Sequence, residues 1–221
     1  MEKKDLLFPD IDYPSWHGKW SENIGRKVGY TDKNTKGYIS LIGDINTIED
    51  KILALVRTED LSKANILYLV DLIYQWGGKQ SRLFYARKKN DLTPRQWLER
   101  DEVFTVYDQA RIEAMQGKPQ SESLFKSIYG IGHAYAGKHA FFWSLKYPGK
   151  TLIIVDNKIA GMFGYRTPAD LYQTTGLQYP DLQRLFVDKS QEVFGDTVPH
   201  WIERALFAYH EYKYLNKNDH L

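Results

Sequence analysis

At 221 residues, with 43% apolar and 26% charged side chains, the chain is long enough to bury one sizeable core and too apolar to be disordered. A formal net charge of only +2 excludes a polycation, so any nucleic-acid binding must rest on a local patch. The absence of cysteine excludes disulfides, thiolate zinc sites, iron–sulfur clusters and a cysteine nucleophile.

The opening Met1-Glu2-Lys3-Lys4-Asp5 has no apolar stretch behind it, unlike a secretory signal. Apolar runs such as "AFFW" and "LIIV" are far shorter than a bilayer span. The expectation is a cytoplasmic monomer without a membrane partner, associated with the nucleoid if bacterial. Residues 1–46 read as irregular, with Pro9 and Pro14, and "KVGY" and "YISLI" around "TDKNTKG" predict a short β-hairpin there.

Residues 47–221 read as one helical domain. Thr47 and Asp50 form a capping-box pattern before "KILALV". Leu61, Ala64, Leu67, Leu69, Val70, Ile73 and Trp76 recur at a helical period, and Gly77-Gly78 ends that element. Thr93-Pro94 with Gln96, Thr167-Pro168 with Asp170, and Pro199 before "HWIERALFAYHEY" mark three further helix starts, each with proline at the first position. After residue 46 the one strand-like run is "TLIIV", 151–155.

Positive charge is concentrated in residues 79–100. Lys79, Arg82, Arg87, Lys88, Lys89, Arg95 and Arg100 stand there against Asp91 and Glu99, with Phe84, Tyr85 and Trp97 interleaved. That mixture suits contact with a DNA backbone, with Arg87, Lys88 and Lys89 at its centre.

The stretch "GIGHAYAGKHA", 130–140, has two readings. Gly132, Gly137 and Lys138 spell G-x-x-x-x-G-K, as in an ATP-binding phosphate loop. The next residue is His139 rather than the magnesium-holding Ser or Thr, the preceding "SESLFKSIY" reads as helix, and repeated strand–helix units are lacking. The nucleotide-hydrolase reading is therefore set aside. In the second reading, Gly130-Ile131-Gly132 is a turn between a short amphipathic helix and a longer one, spanning about 124–146. Two glycines let such a turn approach a DNA backbone, where its amides and the next helix N-terminus face a phosphate, with His133 beside them.

Lys138 follows six residues after Gly132, and Asp156 follows 18 residues later at the end of "TLIIV". This order of hairpin, lysine-bearing helix, extended segment and aspartate resembles the helix–hairpin–helix DNA glycosylases, in particular their 8-oxoguanine glycosylase-like branch. The resemblance is carried by "GIGHAYAGKHAFFW" and "LIIVDNKIAGMFG", over about 124–165. It implies a mainly α, glycosylase-like helical bundle that acts on double-stranded DNA carrying a damaged or modified base, without metal or other cofactor. In one respect the chain departs from the pattern. Many lyase-active members place the lysine two residues after the second glycine, which here is Ala134; Lys138 lies one turn further along the same helix face.

The resemblance implies two catalytic residues. Asp156 would stabilise the positive charge that builds on the sugar as an N-glycosidic bond breaks, and would activate the attacker. If Lys138 attacks, a Schiff base and strand cleavage follow; if not, Asp156 activates water and only the base is removed. The target base must leave the duplex for a pocket, to which Trp201, Glu203 and Phe207 on the last helix are the candidate contributors. The alternative is a non-catalytic sensor that binds such DNA through the same hairpin. The sequence leaves the base open: oxidised guanine, or another damaged or deliberately modified base, including those of invading DNA.

Overall fold

The computed structural model describes residues 6–24, 45–78, 81–84 and 91–218. The expected hairpin of "KVGY" and "YISLI", and the basic residues Lys79, Arg87, Lys88 and Lys89, lie outside the described residues.

Among the described residues the protein is mainly helical and has no β-strand. The helices run α1 (Tyr13–Ile24), α2 (Ile45–Arg57), α3 (Lys63–Trp76), α4 (Ser81–Phe84), α5 (Pro94–Glu99), α6 (Asp101–Met115) and α7 (Ser121–Ser127). They continue with α8 (His133–Ser144), α9 (Asn157–Met162), α10 (Pro168–Thr175), α11 (Tyr179–Phe194) and α12 (Pro199–Asn218). The N-terminal segment is thus not irregular throughout. Pro14 is the second residue of α1, and the Asp12 carboxylate accepts the Ser15 amide at 3.2 Å, as a helix cap does.

The helix starts at Thr93 and Thr167 are capped as their sequences require. Thr93 and Gln96 form a reciprocal capping box, and the Thr167 hydroxyl accepts from the Asp170 amide at 3.1 Å. Pro199 opens α12.

Among the described residues the apolar side chains form two hydrophobic cores. The first gathers apolar side chains of α2 through α8 around Tyr74, Tyr107, Phe125, Phe142 and Trp143. The second gathers those of α1 and α9 through α12 around Leu171, Phe186, Ile202 and Leu206. The extended run 151–155 passes between them: Leu152 and Ile154 enter the first core, Ile153 and Val155 the second. Its period of two is that of a strand.

A buried extended backbone must still satisfy its polar groups, and here side chains do so. The Gln183 amide of α11 accepts the Ile153 N–H at 3.0 Å and donates to the Thr151 carbonyl at 3.0 Å. Ser144 Oγ accepts from the Leu152 N–H at 2.9 Å, and Tyr179 donates to the Ile153 carbonyl. Side chains thus stand where a neighbouring strand would.

Helix α8 is buried from Tyr135 to Ser144, its polar residues Lys138, His139 and Ser144 included. A Cβ added at Gly137 would touch Val155 N at 3.4 Å, so helix and extended segment meet backbone to backbone. That close approach brings Lys138 to the end of the segment, where Asp156 stands.

A candidate functional site at the seam of two cores

Lys138 reaches the seam from the first core and Asp156 from the second. Lys138 Nζ donates to Asp156 Oδ2 at 3.2 Å and to the Ala134 carbonyl at 3.5 Å. The lysine is only 5% exposed. The two carboxylate oxygens of Asp156 divide their work: Oδ1 caps α9 by accepting the Lys158 and Ile159 amides at 3.0 and 3.2 Å, while Oδ2 faces the lysine. Burial pushes the Asp156 carboxyl up, but the Lys138 ammonium and the Ile159 amide outweigh it and hold the group below the usual carboxylate range. A carboxylate held ionised beside a buried ammonium is suited to face a developing cation.

Aromatic rings connect this pair to the hairpin. Lys138 Nζ lies 5.6 Å from the Tyr135 ring and 5.9 Å from the Trp76 ring. Tyr135 stacks on Tyr74 at 4.0 Å, and the Tyr74 hydroxyl donates to the Gly130 carbonyl at 2.8 Å. Trp76 Nε1 donates to Glu49 of α2 at 3.1 Å, and Glu49 also pairs with Arg204 of α12 at 3.3 Å.

The hairpin glycines have different reasons to be glycine. Gly130 takes φ +92°, and a Cβ there would collide with the Pro94 ring at the start of α5. Gly132 takes φ −83° as the N-cap residue of α8, and nothing lies within 4 Å of where its Cβ would be. Ile131 between them is buried in the first core. Gly130 therefore serves packing, and Gly132 marks the open side, where the first amides of α8 have no intrahelical acceptor. His133 turns inward: its Nδ1 is 3.2 Å from the buried Glu122, and its ring is 5.1 Å from Tyr172 of α10.

Of the three pocket candidates on α12, two lie on the side of the pair. Lys158, two residues after Asp156, sets its Nζ 4.2 Å over the Phe207 ring. The Glu203 carboxyl, 3% exposed, feels the charges of both Asp156 and Lys138. Trp201 does not join them. It packs against His17 of α1 and Phe194 of α11, at ring distances of 5.6 and 5.3 Å. A two-residue step on a helix turns about 200°, which separates Trp201 from Glu203, whereas the four-residue step to Phe207 keeps the face.

Within the basic stretch, Arg95 is bound internally, to Asp71 at 2.9 Å and Glu99 at 2.8 Å. Arg100 lies over the Trp97 ring and pairs with Glu102. Sequence reasoning missed Trp76, Tyr135 and Glu49 as neighbours of the pair. For Trp76 a signal was present: an indole beside the Gly77-Gly78 helix stop sits at an element end, where sites are built.

No known family, curated protein or solved structure matches the chain. No helix among the described residues is long and apolar enough to cross a membrane.

Proposed function

We propose that the protein is a DNA glycosylase that excises a damaged or modified base from duplex DNA by flipping it into the seam beside Lys138 and Asp156. The observation that carries this reading is the buried Lys138–Asp156 pair at 3.2 Å, which joins two elements 18 residues apart behind a glycine hairpin. Asp156 faces the sugar and stabilises its cation as the C1′–N bond breaks. The reaction then ends in one of two ways. Water activated by Asp156 takes the sugar, or Lys138 passes a proton to Asp156 and its Nζ closes on C1′. The open face at Gly132 and the first amides of α8 receive a phosphate, which orients the duplex.

The second reading is a sensor that binds modified DNA without cutting it. It is favoured by the position of Lys138 one turn beyond Ala134, where two hydrogen bonds already hold its ammonium. Borohydride trapping in the presence of EDTA separates the two, on duplexes carrying 8-oxoguanine, an abasic site or 5-hydroxymethylcytosine. The lysine route gives an adduct that Lys138→Ala abolishes. The water route gives no adduct, and base release is lost in Asp156→Asn, a variant that keeps a good N-cap for α9. Tight binding with neither adduct nor release sinks the enzyme reading for these bases.

A further inference from the structure

Glu203 is a buried carboxyl that neither the sugar chemistry nor the fold employs. Among the described residues it has no hydrogen-bond or ion-pair partner, in contrast to Asp156, which has three, Lys138 and the Lys158 and Ile159 amides. It sits one turn before Phe207 and two before His210, on the face of α12 that packs against α9: Lys158 Nζ lies 4.2 Å over the Phe207 ring, and a Cβ added at Gly161 would meet the His210 ring at 3.4 Å. We propose that Glu203 is the general acid of the site, donating a proton to the departing base as the glycosidic bond breaks. This inference rests on the glycosylase reading and adds to it a second carboxyl with the opposite task.

An N-glycosidic bond breaks with its electron pair on the base, and an unprotonated base leaves as an anion. The balance here is complete without any co-reactant. The bond's electron pair and the Glu203 proton both go to the base, which leaves neutral, and Glu203 remains as a carboxylate. The sugar cation takes water, whose proton passes to Asp156; Asp156 then releases that proton to solvent, and solvent returns one to Glu203.

The charged and titratable groups facing Glu203 come from five elements: Arg204 of its own helix, Asp156 of the extended segment, Lys138 of α8, Glu49 of α2 and Tyr179 of α11. Burial pushes the Glu203 carboxyl up, Arg204 and Lys138 oppose it, and Asp156 and Glu49 assist it, leaving it at about 8. The group therefore carries its proton at neutral pH. Asp156, held by Lys138 and helix amides, does not. Two carboxyls pushed apart by their surroundings divide acid from base in the same way at other glycosidic centres.

The test is single-turnover base release from duplexes carrying 8-oxoguanine or 5-hydroxymethylcytosine, from pH 6 to 10, with the wild type and Glu203→Gln. Glutamine keeps the size and polarity of the neutral acid but has no proton to give. The expected result is a wild-type rate that falls tenfold per pH unit above about 8, and a Glu203→Gln rate lower by about 10²–10⁴-fold at pH 7 with that alkaline fall absent. Affinity for a duplex with a non-cleavable 2′-fluoro sugar should be unchanged within a few-fold, which separates a lost acid from a lost fold. A Glu203→Gln rate within threefold of the wild type, or one that keeps the alkaline fall, overturns the general-acid assignment and leaves the glycosylase reading standing. Release of neither base by the wild type overturns both.

Discussion

At Glu203 the native chain holds a proton at pH values where the unfolded chain has released it. An ordinary glutamate titrates near 4.5, and the buried one at about 8. Between those values the native state binds more protons than the unfolded state, so stability falls as pH rises through the window. Glu203→Gln removes that cost. Thermal denaturation should show the variant melting above the wild type at pH 9, with the difference gone by pH 4.5. A variant that melts lower at pH 9 would mean that the carboxylate itself holds the fold together. At this scale Lys138 and Asp156 were legible, because their spacing from the hairpin is a linear property of the chain. That residues 201, 203 and 207 cannot share one face was legible too from helix geometry, but not which of them lies away from the pair. Glu49 and Tyr135 were not legible, since their approach to the pair depends on packing among α2, α3 and α8.

The proposed function puts DNA contact on the hairpin between α7 and α8, and its glycines allow packing and contact to be told apart. Gly130→Ala forces a side chain into φ +92° and against Pro94, and should cost about 2–4 kcal/mol in chemical denaturation. Gly132→Ala meets open space at φ −83° and should change stability by less than about 1 kcal/mol. If a phosphate approaches there, the same variant should weaken duplex binding about tenfold, measured by fluorescence anisotropy at fixed salt; unchanged affinity would place the DNA elsewhere. Helix starts were legible wherever Thr-Pro announced them. The α1 start was hidden because Pro14 stands among glycines and prolines that read as loop, although Asp12 two residues earlier is the capping signal. The run 151–155 was legible as extended but not as partnerless, because Gln183 lies 30 residues away and sequence alone gives no sign that a side chain will replace a strand.

For the molecule as a whole, the decisive arrangement is two cores with one wall in common. Ile153 belongs to one core and its neighbour Ile154 to the other, both almost wholly buried. Truncating either removes comparable apolar volume, so Ile153→Ala and Ile154→Ala should each cost about 2–5 kcal/mol. Because the wall is shared, each variant should unfold in one transition, with helical circular dichroism and tryptophan fluorescence sharing a midpoint. Two separated midpoints would show cores that melt independently. The same wall sets where the Lys138–Asp156 pair lies: Asp156 directly follows the run that both cores share.

In a β-ladder each strand is gripped by main-chain groups, which every amino acid supplies alike. The segment that ends in Asp156 is gripped instead by Ser144, Tyr179 and Gln183. Its hold therefore depends on three particular side chains, and replacing any one of them by alanine removes a hydrogen bond that in a sheet only proline would remove.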